Sequence, residues 1–131
     1  MYLVDTSVLI DFFKGKETVK SKHFESLMLH NIPFGISAFT YQEVLQGAKD
    51  KKEYETLQCY LSTQKIYYPT HETFENSAKL FFDCRKSGIT IRSTIDTLIA
   101  TTAIENNLML LCSDRDFVFM KKVIELDIYE G

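Results

Sequence analysis

Residues 93–117 read STIDTLIATTAIENNLMLLCSDRDF, and this stretch decides the fold. Ser93 is a typical helix N-cap, and the apolar residues after it recur at helical spacing, which predicts a helix with one buried side. Leu108–Leu111 is almost wholly apolar, which indicates a strand covered on both faces. The polar residues from Ser113 to Asp116 predict a loop. A helix followed directly by a short buried strand is typical of an α/β domain with a parallel sheet.

The same alternation of short apolar runs and helical patterns extends over the rest of the chain. Further strands are predicted at Tyr2–Val4, Phe34–Ile36, Ile66–Tyr68 and Leu126–Tyr129. Helices are predicted from residue 6 to Phe13, from Glu17 to His30, around residues 41–47, from an Asp50 cap to Ser62, from Thr70 to Lys86, and briefly after residue 116. We therefore predict one α/β domain over residues 1–131, with a mostly parallel five-stranded sheet flanked by helices.

Length and composition exclude several classes of protein. A chain of 131 residues fits one domain, and 45% hydrophobic with 25% charged residues is ordinary globular usage. This excludes a disordered tail and a collagen-like chain. No apolar run approaches the ~20 residues of a membrane span. No basic residues precede the apolar start of the chain, so we predict no secretory signal, no membrane association and a cytoplasmic location.

Charge and metal-ligand residues narrow the functions further. The net charge of −3 argues against nucleic-acid binding driven by overall charge, so any such role must come from a local site. The three cysteines contain no C-x-x-C pair, and the three histidines form no H-E-x-x-H motif. These features argue against a disulfide framework and against a zinc site.

Four acids lie at places where strands end or helices begin. Asp5 directly follows the first strand, and Asp114 follows the strand Leu108–Leu111. Glu43 and Asp96 interrupt apolar helical stretches, where an unpaired carboxylate is costly. Because the carboxyl ends of parallel strands share one edge of a sheet, where ligands bind in such folds, these acids can converge.

Each acid also has a local explanation. Asp5 and Asp114 could cap the helices that follow them, and Asp116 has the same alternative. Asp96 fits the third helical position of a capping box with Ser93. Glu43 could be a surface residue on a helix flank. The prediction of a site therefore depends on the four acids together rather than on any one of them.

Converging carboxylates repel one another unless a divalent cation joins them. Oxygen ligands without nearby Cys or His favour Mg²⁺ or Mn²⁺ over Zn²⁺. A cation held by carboxylates usually takes phosphate oxygens among its other ligands, so the pattern indicates phosphodiester or phosphoryl chemistry with metal-activated water.

The segments LVDTSVLIDFF (3–13), TYQEVLQG (40–47) and 88–117 resemble PIN-domain ribonucleases, and more narrowly the VapC toxins of type II toxin–antitoxin pairs. The resemblance covers nearly the whole chain. It implies a PIN-like fold and a metal-dependent endoribonuclease, with Asp5 and Asp96 as main metal ligands and Glu43 and Asp114 completing the pocket. Members of the family differ in whether the position of Asp114 or that of Asp116 carries the fourth acid.

The resemblance also implies partners and auxiliary residues. Such toxins pair as homodimers, are inhibited by a cognate VapB-type antitoxin and cleave structured RNA, commonly tRNA or ribosomal RNA. Thr6 and Ser7 could orient Asp5 or contact phosphate. Cys112 departs from the family, since many relatives have Thr there. Arg92 is the strongest candidate for an RNA phosphate contact, beside three lysine- and arginine-containing clusters at 14–22, 49–52 and 85–92.

Three other functions compete with this interpretation. A phosphotransferase with Asp5 as nucleophile typically needs a second Asp two positions on, where this chain has Ser7, and a lysine near the late strands, which residues 108–116 lack. A non-catalytic binding module would keep the fold without needing the acids. A housekeeping PIN ribonuclease would use the same acids without an antitoxin.

Overall fold

The computed structural model describes all 131 residues, and helices and strands alternate along the chain as an α/β domain requires. The strands are β1 (Tyr2–Val4), β2 (Phe34–Ser37), β3 (Lys65–Tyr67) and β4 (Met109–Leu111). The helices are α1 (Thr6–Phe13), α2 (Val19–Leu29), α3 (Ala38–Gln46), α4 (Lys51–Ser62), α5 (His71–Lys86), α6 (Thr94–Glu105) and α7 (Arg115–Met120). The predicted fold class is confirmed.

All four strands are parallel, in the order β3-β2-β1-β4. Val4 lies opposite Leu111, so the central strand β1 and the edge strand β4 end side by side. The Asp5 N–H donates to the Leu111 carbonyl at 2.9 Å just beyond this pair. The helices α1, α3 and α7 begin within a few residues of the ends of β1, β2 and β4, which brings their N-termini to the same edge of the sheet.

The predicted fifth strand, Leu126–Tyr129, is wrong. This segment makes a single parallel bridge, between Leu110 and Ile128. The Leu110 N–H donates to Asp127 at 2.8 Å, and the Tyr129 N–H donates to Leu110 at 2.9 Å. The chain then leaves β4, and the Tyr129 ring stacks on His23 with the ring centroids 3.7 Å apart. A single bridge is too short to form a strand.

The third strand also differs from its predicted bounds. It was expected at Ile66–Tyr68, but β3 ends at Tyr67, which pairs with Ser37 at the end of β2. Tyr68 has no partner residue beyond that point, and its side chain is exposed. The register of the neighbouring strand therefore sets where β3 stops.

The core lies on both sides of the sheet, which explains why the strands are apolar throughout. Leu3 and Leu110 belong to a cluster formed with α5, α6 and α7. Val4 and Leu111 belong to a second cluster, with residues of α1 to α4. Successive strand residues point to opposite faces, so neighbours in one strand contribute to different clusters. The carboxyl edge of the sheet is left to polar side chains.

Candidate metal centre

Five acids meet at the carboxyl edge of the sheet, and we call them the acidic edge. Their members are Asp5, Glu43, Asp96, Asp114 and Asp116. Asp5 caps α1, and Asp114 caps α7. Glu43 lies within α3, Asp96 in the first turn of α6, and Asp116 in the first turn of α7. Each was predicted from the sequence as a candidate, and the fold brings them together at this edge.

Asp5 is fixed by the residue two positions after it. The residue is only 4% exposed, and its Oδ2 accepts from the Ser7 hydroxyl at 2.7 Å and from the Ser7 N–H at 3.3 Å. The Ser7 hydroxyl also accepts from the Ser113 N–H at 3.4 Å, which joins it to the loop after β4. Burial raises the pKa of Asp5, the hydrogen bonds from Ser7 oppose this, and the nearby charge of Glu43 raises it further.

Glu43 is oriented by Thr6 rather than by a basic residue. The Thr6 hydroxyl donates to Glu43 Oε1 at 2.6 Å. It also lies 3.1 Å from the hydroxyl of Thr40, which in turn lies 3.2 Å from that of Ser37. Ser7 thus orients Asp5 as expected, whereas Thr6 serves a different acid. Thr40 was not predicted, although its position three residues before Glu43 puts it on the same side of α3.

The Asp96 carboxylate accepts no hydrogen bond from the chain. Ser93 caps α6 through the Ile95 N–H, at 3.2 Å, and Asp96 does not complete a capping box. The pKa of Asp96 is raised from 3.8 to about 7, first by burial and then by the charges of Asp5, Asp114, Asp116 and Glu43. An unpartnered carboxyl among four other acids is the group that a cation would stabilise most.

Asp114 and Asp116 are both held by Arg92. The Arg92 Nη2 donates to Asp114 Oδ1 at 2.9 Å, and its Nε donates to Asp116 Oδ2 at 3.2 Å. The Arg92 backbone N–H also donates to Asp116 Oδ2, at 3.1 Å. Asp114 accepts the Asp116 N–H at 2.9 Å, as a helix cap does. These carboxylates also raise the pKa of Arg92, through the hydrogen bond to Asp116 and then the charges of both acids.

The donor set fits a divalent cation. One carboxylate oxygen each from Asp96, Asp114 and Asp116 lie within 4.8 Å of one another. Asp5 and Glu43 are close enough for their charges to raise the pKa of Asp96. Five acids face one guanidinium, so the local charge stays negative after the ion pairs are formed. Carboxylate oxygens in this number are the ligands that hard cations such as Mg²⁺ and Mn²⁺ prefer.

Cys112 directly follows β4, at a position where many members of the resembled family have Thr. The side chain is buried, and its pKa is raised to about 12 by burial and by the charge of Asp5. The thiol makes no hydrogen bond to the acids, so Asp5 depends on Ser7 for its orientation.

The three basic clusters could be solvated helix faces or phosphate contacts on the sequence alone, and in the structure most of their side chains are exposed. Several of their lysines form exposed pairs with acids at 3.9–4.0 Å, namely Lys22–Glu17, Lys49–Glu53 and Lys51–Glu55. Lys20 donates to the Tyr129 carbonyl and lies over the Tyr129 ring. Arg92 is the basic residue that contacts the acidic edge.

The fold and the acidic edge define an α/β domain equipped to hold a divalent cation with carboxylates. The PIN-domain family model matches residues 2–123. The chain therefore belongs to the PIN-domain family. None of its helices combines the length and apolar character needed to cross a membrane.

Relatives named as ribonucleases are similar to this chain over most of their length. Ribonuclease VapC1 from Methanocaldococcus jannaschii is 30% identical over 128 residues, which are 98% of this chain and 86% of that protein. Ribonuclease VapC11 from Mycobacterium tuberculosis is 24% identical over 128 residues, which are 96% of each chain. The chain is thus a VapC-like member of its family.

A solved structure, VapBC2 from Rickettsia felis bound to a DNA fragment from its promoter, shares the fold with a TM-score of 0.77 at 20% identity. That similarity covers 98% of this chain and 96% of the solved one.

Proposed function

We propose that the protein is a Mg²⁺-dependent endoribonuclease that acts as the toxin of a type II toxin–antitoxin pair and cleaves structured RNA, either tRNA or ribosomal RNA. The observation that carries the proposal is the unpartnered Asp96 carboxylate among four other acids at the carboxyl edge of a PIN-family sheet. Ribonuclease activity in the VapC relatives supports the reaction class. The catalytic unit would be a single PIN-like nuclease domain over residues 1–131.

Asp5 and Asp96 would be the main ligands of the cation, with Glu43 and Asp114 completing the pocket. Mg²⁺ or Mn²⁺ held there supplies Lewis-acid polarisation of a phosphodiester and activation of water. Ser7 keeps the Asp5 carboxylate in one orientation, and Thr6 does the same for Glu43. These hydroxyls thereby pre-organise two ligands before any cation arrives.

Asp116 would hold Arg92 beside the pocket rather than serve as a main ligand of the cation. It is only 3% exposed, and Arg92 occupies its Oδ2 with two donors. Asp114 is more exposed and keeps one oxygen free of hydrogen bonds from the chain. This difference favours Asp114 as the fourth ligand, while Asp116 holds Arg92 at the site.

RNA would approach through phosphate contacts near the acidic edge, with Arg92 as the foremost candidate donor. A VapB-type antitoxin would be the cognate partner, since several solved relatives are toxin–antitoxin complexes. We also expect a homodimer and a cytoplasmic location, where RNA and antitoxin would be met.

The direct test is RNA cleavage by purified, antitoxin-free protein. Total tRNA and ribosomal RNA are incubated with wild type, with Asp96→Asn and with Asp127→Asn, in Mg²⁺ and in EDTA, and the cut ends are mapped. Asp127 is an exposed acid outside the acidic edge and serves as the matched control. We expect discrete cuts by wild type and Asp127→Asn in Mg²⁺ only, and none by Asp96→Asn.

Other outcomes identify the competing functions. Cleavage that persists in EDTA or in Asp96→Asn would overturn the metal-dependent mechanism. No cleavage by folded wild type, together with full toxicity of Asp96→Asn in a growth assay, would indicate a non-catalytic binding module. Cleavage without growth inhibition on expression would favour a housekeeping nuclease. A phosphorylated Asp5 would indicate a phosphotransferase, which the burial of that residue already disfavours.

A further inference from the structure

Arg92 forms the only ion pairs that involve the acidic edge, and its contacts are of two kinds. Its backbone N–H and its Nε both donate to Asp116 Oδ2, at 3.1 and 3.2 Å. Its Nη2 donates to Asp114 Oδ1 at 2.9 Å and, at the longer distance of 3.4 Å, to Asp116 Oδ1. The residue lies just before α6, whereas Asp114 caps α7 and Asp116 lies in its first turn, so Arg92 joins the N-terminal ends of two helices of the site.

The two contacts differ in burial. The side chain of Asp116 is 5% exposed, and one of its two close donors is a main-chain N–H that a side-chain movement does not remove. The side chain of Asp114 is 33% exposed and that of Arg92 is 68% exposed, so their pair lies at the solvent boundary. The inner contact is fixed by the backbone, and the outer contact can be exchanged.

We propose that Arg92 is a positioning residue of the metal centre: it keeps Asp116 in place and releases Asp114 to an incoming divalent cation. The inference rests on the metal site of the proposed function, but not on RNA being the substrate. Without a cation, the guanidinium reduces repulsion among Asp96, Asp114 and Asp116, whose nearest oxygens lie within 4.8 Å.

Asp114 Oδ2 accepts no hydrogen bond from the chain, so a divalent cation could reach this carboxylate without first displacing Arg92. The cation would still weaken the pair between Arg92 Nη2 and Asp114, because the two positive charges repel each other and share one negative charge. With a cation bound to Asp114, the contacts of the Arg92 backbone N–H, Nε and Nη2 with Asp116 would remain and would keep the arginine at the site. The Nη2 hydrogen released from Asp114 would then be available to a phosphate oxygen of the substrate, a contact that guanidinium groups make well. Arg92 would thus be an internal counterion in one state and a phosphate donor in the other.

The experiment is a Mn²⁺ titration by calorimetry on wild type, Arg92→Gln, Asp114→Asn and the double variant. Arg115→Gln is the matched control, since Arg115 is an exposed neighbour without an ion pair. We expect Arg92→Gln to bind Mn²⁺ at least about fivefold more tightly than wild type, the lower end of typical coupling between sites. In the Asp114→Asn background the same change should have no more effect than Arg115→Gln has.

Weaker Mn²⁺ binding by Arg92→Gln would overturn the competition, and so would an undiminished gain in the Asp114→Asn background. Absence of Mn²⁺ binding by wild type would overturn it as well. If Mn²⁺ binds with the expected coupling but no RNA is cut, the proposed function fails and this inference stands.

A second measurement needs no variant. In ¹⁵N-arginine spectra of wild type, Mg²⁺ should leave the Arg92 Nε–H protected while it shifts the Nη signals. Unchanged Nη signals on saturation with Mg²⁺ would overturn the exchange.

Discussion

Thr6 Oγ1 lies 2.6 Å from Glu43 Oε1, so a hydroxyl at the start of α1 orients an acid in the middle of α3. The contact ties together two helices that each begin at the carboxyl edge of the sheet. It occupies one oxygen of Glu43, while the other accepts no hydrogen bond from the chain. A flexible glutamate side chain is thereby restrained toward the acidic edge.

Thr6→Val should lower RNA cleavage about 10- to 100-fold, the usual effect of removing a group that orients a metal ligand. The change removes the hydroxyl with little change in volume, so the melting temperature in EDTA should change little. Thr6→Ser keeps the hydroxyl and should cleave at nearly the wild-type rate. Equal rates for the two variants would show that Glu43 does not need this contact.

Much of this edge could be predicted from the sequence, because parallel strands put their carboxyl ends together. Asp5 and Asp114 follow apolar runs that could hardly be anything but buried strands, and Asp96 is in the first turn of a strongly patterned helix. The partners of Arg92 could not be predicted, since they lie 22 and 24 residues further along the chain. No local spacing rule reaches that distance.

Tertiary packing also decided what the sequence left ambiguous. The apolar residues Leu126 and Ile128 look like those of β4, and both are buried. Only one bridge forms, however, and the Tyr129 side chain that follows it stacks on His23. Likewise, Thr6 and Ser7 are adjacent hydroxyls, but only the fold shows that they serve different acids.

In the metal-free protein, the Asp96 carboxyl should make the free energy of unfolding decrease as the pH rises. Its pKa is about 7 in the folded protein and 3.8 in an ordinary environment. Between these pH values the folded state holds a proton that the unfolded state has lost, so lower pH favours folding. Above about pH 7 the folded state must bury the charged carboxylate, and the loss of stability from Asp96 is complete. Asp96→Asn should therefore gain melting temperature over wild type in EDTA as the pH rises from about 5 to about 8.

Comparing Asp96→Asn with wild type at each pH cancels the contributions that other titrating groups make to stability. His23, whose pKa is lowered by burial, makes stability rise with pH below 6.5, but it does so in both proteins. Asp127→Asn should show no such pH-dependent gain. A clear drop in the melting temperature of Asp96→Asn across this range would instead favour a capping role for Asp96.

Binding of a divalent cation should release a proton, since a protonated Asp96 cannot serve as a ligand. With a pKa of about 7, Asp96 is mostly protonated one unit below that value. Mn²⁺ should therefore bind roughly tenfold more weakly at about pH 6 than at about pH 8. Calorimetry in two buffers of different ionisation enthalpy gives the number of protons released. Equal affinity at both pH values would exclude Asp96 as a ligand.

The three cysteines should react very differently with an alkylating reagent, which tests the packing beneath the site. Cys59 is exposed, whereas Cys84 and Cys112 are buried. Burial raises the pKa of both buried thiols, that of Cys112 to about 12, so almost no thiolate is present at neutral pH. Mass spectrometry should find one label on the native protein, none on Cys59→Ser, and three on wild type in denaturant. Labelling of native Cys112 would mean that the end of β4 opens to solvent beside Asp5.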